Sequence, residues 1–287
     1  MLSGKLAPGS LMVYIIYIDS FSEVNDMAKK EYITAGHIQD LIDRGALFVV
    51  SHSGGKDSQA MFIRLRKIIP ADQLLVVHAH LRGVDWDGIE DHILETIGAT
   101  PFEVVHAKKS FMEMVRHRGM FPSPSMRQCT SDLKRGPIEK AIRQAVKDRD
   151  NKLIVSCVGI RAEESTSRAK AEVFKYSKKN SKAGREWYEW LPIHDMLEGE
   201  VFASIKQAGE KPHWAYAAGM SRLSCCFCIM SSLKDLQTAA RLKPDLYAEI
   251  VDLEKEVGHT MMMPRKGQAP RGLEEITGVP VMWHGGH

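Results

Sequence analysis

A strand–turn–helix unit near residue 50 constrains the fold of this chain more than any other feature. Residues 46–51 form a short apolar run containing β-branched side chains, which predicts a buried strand. The glycine pair Gly54-Gly55 follows, and residues 57–69 then carry apolar side chains at helical spacing. A strand that leads through a glycine turn into a helix is the building block of open sheets with parallel strands and helical layers.

The same alternation continues along the chain. The patterns predict further strands at 74–78, 102–105, 153–158 and 187–191, and helices at 35–43, 88–97, 111–116, 137–147 and 246–257. Because the strands are almost continuously apolar, we expect both faces of the sheet to be buried. The sequence therefore predicts an α/β fold: a parallel five-stranded sheet flanked by helices, followed by a helical, cysteine-containing C-terminal region. Ligands of such sheets bind beyond the carboxyl ends of the strands.

The ends of the chain differ in character from this pattern. The longest apolar run, residues 11–18, is far shorter than the ~20 residues that a membrane-spanning helix needs. We interpret residues 1–26 as an N-terminal extension outside the fold, with an edge strand as the alternative. Residues 27–214 are then the α/β domain, and residues 215–287 are the cysteine-containing segment with a helical tail. Without a longer apolar run or a disulfide framework, we expect a cytoplasmic protein.

The turn after the first predicted strand has the composition of a phosphate-binding loop. Adjacent glycines let backbone amides approach a ligand, and the following helix N-terminus adds unpaired N–H groups and a positive dipole end. Lys56 adds a mobile cation and Ser58 a hydroxyl donor. The spacing fits neither the P-loop nor the dinucleotide fingerprint, since Asp57 follows Lys56. We assign phosphate binding to the whole loop, which comprises Ser53, Gly54, Gly55, Lys56, Asp57 and Ser58.

A second polar motif follows the predicted strand at 153–158. It contains Gly159, Arg161, the pair Glu164-Ser165 and Arg168. Two arginines beyond a strand end can hold phosphate or sulfate through bidentate hydrogen bonds. The alternative is a solvated, charged turn.

Three of the five cysteines lie within four positions. Cys225 and Cys228 have Cys-x-x-Cys spacing, with Cys226 between them, and Cys129 lies far upstream. Four thiolates can hold a [4Fe–4S] cluster or a tetrahedral Zn²⁺, so we assign Cys129, Cys225, Cys226 and Cys228 to one metal site. Free thiols are the alternative. Cys157 lies inside a predicted strand and is interpreted as a small buried apolar residue.

The basic residues are concentrated locally. The net charge of +3 is too small to indicate a nucleic-acid-binding protein by itself. Residues 168–185, however, hold seven basic residues and one acid, together with Phe174 and Tyr176. This segment could cover a ligand, bind nucleic acid by stacking and charge, or be a solvated loop. His78 and His80 alternate along a predicted strand, and we interpret them as strand residues rather than metal ligands.

These motifs resemble a known group of proteins. Ser-Gly-Gly-Lys-Asp-Ser at 53–58 resembles the PP-loop signature of the adenine nucleotide α-hydrolase-like superfamily. Gly-x-Arg-x-x-Glu-Ser-x-x-Arg at 159–168 resembles the arginine motif of its phosphoadenosine phosphosulfate (PAPS) reductase family. Segments 84–86 and 191–225 are also similar, so the resemblance covers about residues 45–258. The nearest types are the iron–sulfur members and those involved in DNA phosphorothioation.

The resemblance implies an enzyme that binds ATP or adenylyl sulfate and acts at the α-phosphate. Lys56, Arg161 and Arg168 would then be catalytic, and Gly159 and Arg161 would contact the nucleotide along with the loop. Mg²⁺ is implied if ATP is the substrate. The resemblance also favours a [4Fe–4S] cluster over Zn²⁺ and implies sulfur-transfer chemistry, with a nucleic acid or a partner protein involved.

One departure from the family bears on the reaction. Thiol-dependent reductases carry a cysteine in a Glu-Cys-Gly-x-His context, where this sequence has Val257, and no cysteine follows Cys228. We therefore expect sulfur transfer rather than thiol-dependent reduction. The alternatives are a true adenylyl sulfate or PAPS reductase that uses another electron donor, and a non-catalytic nucleotide-binding accessory protein of a mobile element or defence system. His80 also stands where several relatives have an acidic residue.

Overall fold

The computed structural model describes residues 36–264 and 267–281. The chain forms two compact units, residues 1–40 and 41–287. The described part of the first unit, residues 36–40, is helical, and the predicted extension at 1–26 lies outside the described residues. The second unit contains all the elements discussed below. The boundary expected at 214/215 stays a prediction.

Strands and helices alternate through the second unit. The strands are β1 (Leu47–Ser51), β2 (Leu74–His80), β3 (Phe102–His106), β4 (Leu153–Val158), β5 (Phe174–Tyr176) and β6 (Glu186–Trp190). The longer helices are α1 (Lys56–Leu65), α2 (Ile89–Ile97), α3 (Phe111–Arg118), α4 (Gly136–Ala145), α5 (Glu198–Gln207), α6 (Leu233–Leu242) and α7 (Pro244–Val257). Short helical segments lie at Ala71–Gln73, Gln128–Thr130, Ser131–Arg135, Ala162–Glu164, Thr166–Ala169, Trp214–Ala217 and Leu273–Thr277.

The sheet has the order β3-β2-β1-β4-β6-β5. Strands β3, β2, β1, β4 and β6 pair in parallel, which confirms the predicted five-stranded parallel sheet. Strand β5 adds a sixth strand, antiparallel to β6. The sequence did not indicate β5 because it is three residues long and lies in the basic segment 168–185. Its Phe174 ring stacks on Tyr188 of β6 with 5.2 Å between the ring centroids, which stabilises the pairing.

Burial of the central strand explains why the β1 sequence is apolar throughout. Phe48, Val49 and Val50 have no exposed surface, because helices cover both faces of the sheet. On one face, Ala60 and Ile63 of α1 pack against α5. Each large apolar side chain buried in this way stabilises the fold by about 1.5–3 kcal/mol relative to exposure. Within the described residues, no helix is both long and apolar enough to cross a membrane.

The parallel pairing brings the two polar motifs to one edge of the sheet. Ser51 at the end of β1 lies opposite Val158 at the end of β4. Ser51 is also paired with Val77 of β2, so all three strands point the same way. The loop at 53–58, the segment after His80 and the motif at 159–168 therefore begin at the same sheet edge, which is where ligands of such folds bind.

Candidate active site

The glycine pair lets the loop turn tightly against its neighbours. Gly54 has a φ of +74°, a conformation that favours glycine, and a Cβ there would lie 2.2 Å from the Cδ1 atom of Ile89. Gly55 is the N-cap residue of α1. A Cβ on Gly55 would lie 3.3 Å from the Tyr216 hydroxyl and 3.4 Å from Leu223. The loop is therefore closely packed on the side of residues 216–223, and larger residues do not fit at either glycine without displacement.

The backbone amides of the loop divide into two groups. The Gly54 amide donates to Nδ1 of His52 at 3.0 Å, and the Lys56 amide donates to the Tyr216 hydroxyl at 3.0 Å. Among the described residues, three further amides have no hydrogen-bond acceptor: those of Gly55, Asp57 and Ser58. Unpaired amides at the first turn of a helix are potential donors for an anion, and anion binding by this loop stays a prediction.

His52 and Tyr216 support the loop, and sequence analysis did not single out either one for this role. Burial lowers the pKa of His52 to about 3, so its ring is neutral and Nδ1 can accept from Gly54. Burial raises the pKa of Tyr216, so its hydroxyl stays protonated while it accepts from Lys56. The position of His52 next to the loop was a signal for the first residue. Tyr216 is 160 residues from Lys56, and nothing local indicates its contact.

The hydroxyl of Ser58 holds the shape of the loop from within. It donates to the carbonyl of Gly55 at 2.8 Å and accepts from the amide of Ser53 at 3.2 Å. The Ser53 and Ser58 hydroxyls lie 3.3 Å apart. Ser58 therefore links the beginning of the loop to the first turn of α1.

Lys56 is buried and already paired with carboxylates. Its Nζ lies 3.2 Å from Glu198 of α5 and 3.4 Å from Asp57, and only 5 % of its side chain is exposed. The Tyr216 and Phe202 rings lie near the ammonium, with centroids 5.5 and 5.9 Å away. The cation is therefore next to the loop, as predicted, but an arriving phosphate would compete with Glu198 for it.

The Arg161 guanidinium is already paired with carboxylates, one of which belongs to the loop. Its Nε donates to Asp57 Oδ1 at 2.6 Å, and its Nη1 contacts Glu163. The same nitrogen lies 3.4 Å from the Met196 carbonyl. The hydrogen bond from Arg161 lowers the pKa of Glu163. The side chain of Arg161 is 95 % buried in this network, since 5 % is exposed.

The other residues of the second motif also pack against the loop or pair with each other. A Cβ on Gly159 would lie 3.1 Å from the carbonyl oxygen of Asp57, so glycine allows the segment after β4 to contact the start of α1. Arg168 pairs with Glu164, and the side chain of Arg168 is 29 % exposed. Through Glu164, whose carboxylate accepts from the Arg161 amide at 3.0 Å, Arg168 is connected to the loop network.

Three of the cysteines assigned to a metal site interact with one another. A hydrogen bond between the thiols of Cys225 and Cys228 raises the pKa of Cys225 and lowers that of Cys228. Cys129 is near enough to interact electrostatically with both, and burial raises its pKa. Lys134 lowers the pKa of Cys129 and Cys225 against these effects. Three sulfur atoms next to a cation are a donor set that a soft metal centre fits.

Cys226 and Cys157 have different surroundings. Cys226 is fully buried, and the nearest charged groups that affect its pKa are Lys243, Asp85 and Asp87 rather than the other thiols. Burial raises the pKa of Cys226 to about 12. Cys157 is fully buried in β4, and burial raises its pKa, as expected for a structural residue.

Comparison with known proteins identifies the family. Residues 47–231 match the phosphoadenosine phosphosulfate reductase domain, and the chain belongs to this family. An uncharacterized 37.8 kDa protein of Escherichia phage 186 is 26% identical over 182 residues, which cover 61% of this chain and 53% of the phage protein. The chain thus spans about half the length of this curated relative.

Solved structures with a similar fold include two fungal enzymes. One is a crystal structure of PAPS reductase from Candida auris, with a TM-score of 0.41 and 13% identity over 62% of this chain and 80% of that chain. The other is FMN adenylyltransferase from Candida glabrata, with a TM-score of 0.40 and 14% identity over 63% of this chain and 53% of that chain.

Proposed function

We propose that this protein is a PP-loop enzyme that binds ATP or adenylyl sulfate in the 53–58 loop and acts at the α-phosphate. The observation that carries the proposal is the set of three unpaired amides, on Gly55, Asp57 and Ser58, at the N-terminus of α1 and the carboxyl edge of the sheet. Such amides act as preorganised donors to phosphate oxygens. Membership in the PAPS reductase family supports an adenine nucleotide as the ligand.

The charged residues around the loop have two proposed roles, charge neutralisation and positioning of the loop. Lys56 is part of the loop, with its Nζ 3.4 Å from Asp57, and we propose that it neutralises charge that develops on the phosphate. We propose that Arg161 positions the loop through its ion pair with Asp57, and that Arg168 positions Glu164. With ATP as the substrate, Mg²⁺ would neutralise the remaining phosphate charge.

We further propose that the cysteines hold a [4Fe–4S] cluster, with Zn²⁺ as the alternative, for sulfur transfer to an acceptor that has been adenylated, with AMP as the leaving group. Cys129, Cys225 and Cys228 are the residues whose mutual contacts fit such a group. Cys226 is the fourth cysteine of the predicted set. Its pKa is affected by Lys243, Asp85 and Asp87 and by none of the other thiols, so we propose that it is not a ligand. When bound, a cluster would supply a thiolate-ligated iron site for sulfur chemistry.

The acceptor of the sulfur is proposed to be nucleic acid. The basic segment 168–185 presents Tyr176 with 53% exposure, which suits stacking on a base. Some of its cations are paired, for example Lys175 with Glu189 and Lys179 with Glu139. Binding of single-stranded oligonucleotides should therefore be modest and sensitive to salt.

Product analysis tests the proposed reaction. The purified protein is incubated anaerobically with ATP and Mg²⁺ or with adenylyl sulfate, with sulfide as the sulfur source and a single-stranded oligonucleotide as the acceptor. In the proposed reaction an acceptor oxygen attacks the α-phosphate and releases pyrophosphate, and sulfide then displaces AMP from the adenylated acceptor. We expect AMP and pyrophosphate from ATP, because cleavage occurs at the α-phosphate. Sulfite and AMP formed from adenylyl sulfate with an added reductant would instead favour the reductase alternative. Formation of ADP, or tight nucleotide binding without any product, would contradict the proposal.

The metal content of cysteine variants tests the second proposal. We expect Cys129→Ser, Cys225→Ser and Cys228→Ser to lose most of the bound iron, because each removes a thiolate ligand. Cys157→Ser is the control and should keep the iron, since Cys157 is buried within β4. Cys226→Ser should also keep most of it. Iron and zinc are measured by elemental analysis after anaerobic purification. Equal iron in all five variants and wild type would contradict the assignment. Stoichiometric zinc without iron would show that the site holds Zn²⁺ instead of a cluster.

A further inference from the structure

A second group of metal-ligating side chains lies at the carboxyl end of β2, apart from the cysteines. His78 and His80 are on the same face of β2, and Asp85 follows in the next turn. The nearest ligand atoms of these three residues all lie within 4.8 Å of one another. Among the described residues, no other trio of His, Cys, Asp or Glu side chains meets this criterion.

One of the two ring nitrogens of His78 is hydrogen-bonded and the other has no hydrogen-bond partner. Its Nδ1 lies 2.9 Å from the carbonyl oxygen of His52, so this nitrogen donates a hydrogen bond and carries the proton. Nε2 has no hydrogen-bond partner, although the side chain is only 3 % exposed. Metal-binding histidines usually donate their other ring N–H to a carbonyl or carboxylate in this way.

The atom that Nε2 faces is itself an acceptor. Oδ2 of Asp85 lies 3.6 Å from Nε2 of His78, and it already accepts from the Leu81 amide at 2.6 Å. A buried imidazole nitrogen opposite a carboxylate oxygen needs a proton or a metal ion between the two atoms. A metal ion meets this requirement.

The distances from Asp85 to the two histidines are close to those in a metal site. Oδ2 of Asp85 is 3.6 Å from His78 Nε2 and 3.8 Å from His80 Nδ1. Bonds of about 2.0–2.2 Å in a tetrahedral site place neighbouring ligand atoms about 3.3–3.6 Å apart. We propose that His78, His80 and Asp85 form a site for a borderline divalent cation of the Zn²⁺ class.

The site opens into an acidic cleft. His80, Asp85 and Glu90 line a cavity of about 660 Å³ between the segment after β2 and the start of α7. The Glu90 carboxylate lies 2.8 Å from Nδ1 of His80, without hydrogen-bond geometry, so it is the nearest further carboxylate for the ion. Two imidazoles favour a transition metal over Mg²⁺, and the open side leaves room for water or a ligand.

Titration with Co²⁺ and Zn²⁺ tests this site independently of nucleotide chemistry. The full chain with Cys225→Ser and Cys228→Ser is used, so that thiolates do not dominate the signal. We expect one equivalent of Co²⁺ to bind with the weak visible bands of nitrogen and oxygen ligation, and Zn²⁺ to displace it. His80→Asn and Asp85→Asn should weaken binding by about tenfold or more. Asp85→Asn retains an oxygen that can accept from the Leu81 amide, so we expect the turn after β2 to keep its conformation in this variant.

The matched control is His106→Asn. His106 lies opposite His80 in the β2–β3 pair, with 5.2 Å between the ring centroids, but it is not one of the three ligands. This variant should bind Co²⁺ like the parent. The proposal is overturned if the parent binds no Co²⁺, or if His80→Asn and Asp85→Asn bind it as tightly as the parent.

Discussion

Replacing Arg161 by alanine is expected to lower the free energy of unfolding by roughly 3 kcal/mol. The guanidinium is buried and bonds to Asp57 at 2.6 Å, with further contacts to Glu163 and the Met196 carbonyl. Removing it leaves the partly buried Asp57 carboxylate with Lys56 as its remaining cation. Urea unfolding followed by tryptophan fluorescence and circular dichroism measures the effect.

Two further variants serve as a comparison and a control for this prediction. Arg161→Lys keeps the charge but loses the planar fork, so we expect an intermediate loss of roughly 1.5–3 kcal/mol from the broken charge-assisted hydrogen bonds. Arg64→Ala is the control, because its ion pair with Asp195 is exposed on both sides and contributes about 0–1 kcal/mol. If Arg161→Ala unfolds like wild type but fails to bind nucleotide, then Arg161 contacts the anion directly and does not stabilise the loop through Asp57.

The local part of the site could be predicted from the sequence. The glycine pair, the preceding apolar strand and the following helix are encoded within residues 46–69, and their order alone indicates an anion-binding loop. The five parallel strands were predictable for the same reason, since each is a short apolar run. Strand β5 was not, because its pairing depends on contacts with β6.

The partners of the loop residues could not be predicted, because they are distant in sequence. Arg161 and Asp57 are 104 residues apart, and Lys56 and Tyr216 are 160 residues apart. Sequence reasoning assigned Arg161 to nucleotide binding, and the motif does not show that Asp57 lies beside its guanidinium in the fold. It also could not show that Cys226, between Cys225 and Cys228, has separate surroundings.

The histidines of β2 illustrate a signal that was present but ambiguous. Two histidines at alternate positions of a strand share a face, yet this spacing also occurs without a metal. The deciding contact, between His78 and the backbone carbonyl of His52, comes from the neighbouring strand end. Only the tertiary structure supplies it.

Gly55→Val is expected to weaken nucleotide binding strongly, by roughly a hundredfold, while the fold is retained. The added side chain begins 3.3 Å from the Tyr216 hydroxyl and 3.4 Å from Leu223, so the loop must shift relative to Tyr216, whose hydroxyl accepts from the Lys56 amide. Losing two charge-assisted hydrogen bonds of about 1.5 kcal/mol each weakens affinity by roughly a hundredfold. Gly55→Ala should be intermediate. Gly199→Val in α5 is the control, since a Cβ there meets nothing within 4 Å.

Calorimetric titration of these proteins with ATP and with adenylyl sulfate tests the central claim most directly. We predict that wild type and Gly199→Val bind at least one of the two nucleotides with one equivalent per chain. Gly55→Val should bind the same nucleotide roughly a hundredfold more weakly, with a circular dichroism spectrum and urea midpoint close to wild type. If the folded Gly55→Val protein binds both nucleotides as tightly as wild type, or wild type binds neither, the assignment of the 53–58 loop as the nucleotide site is contradicted.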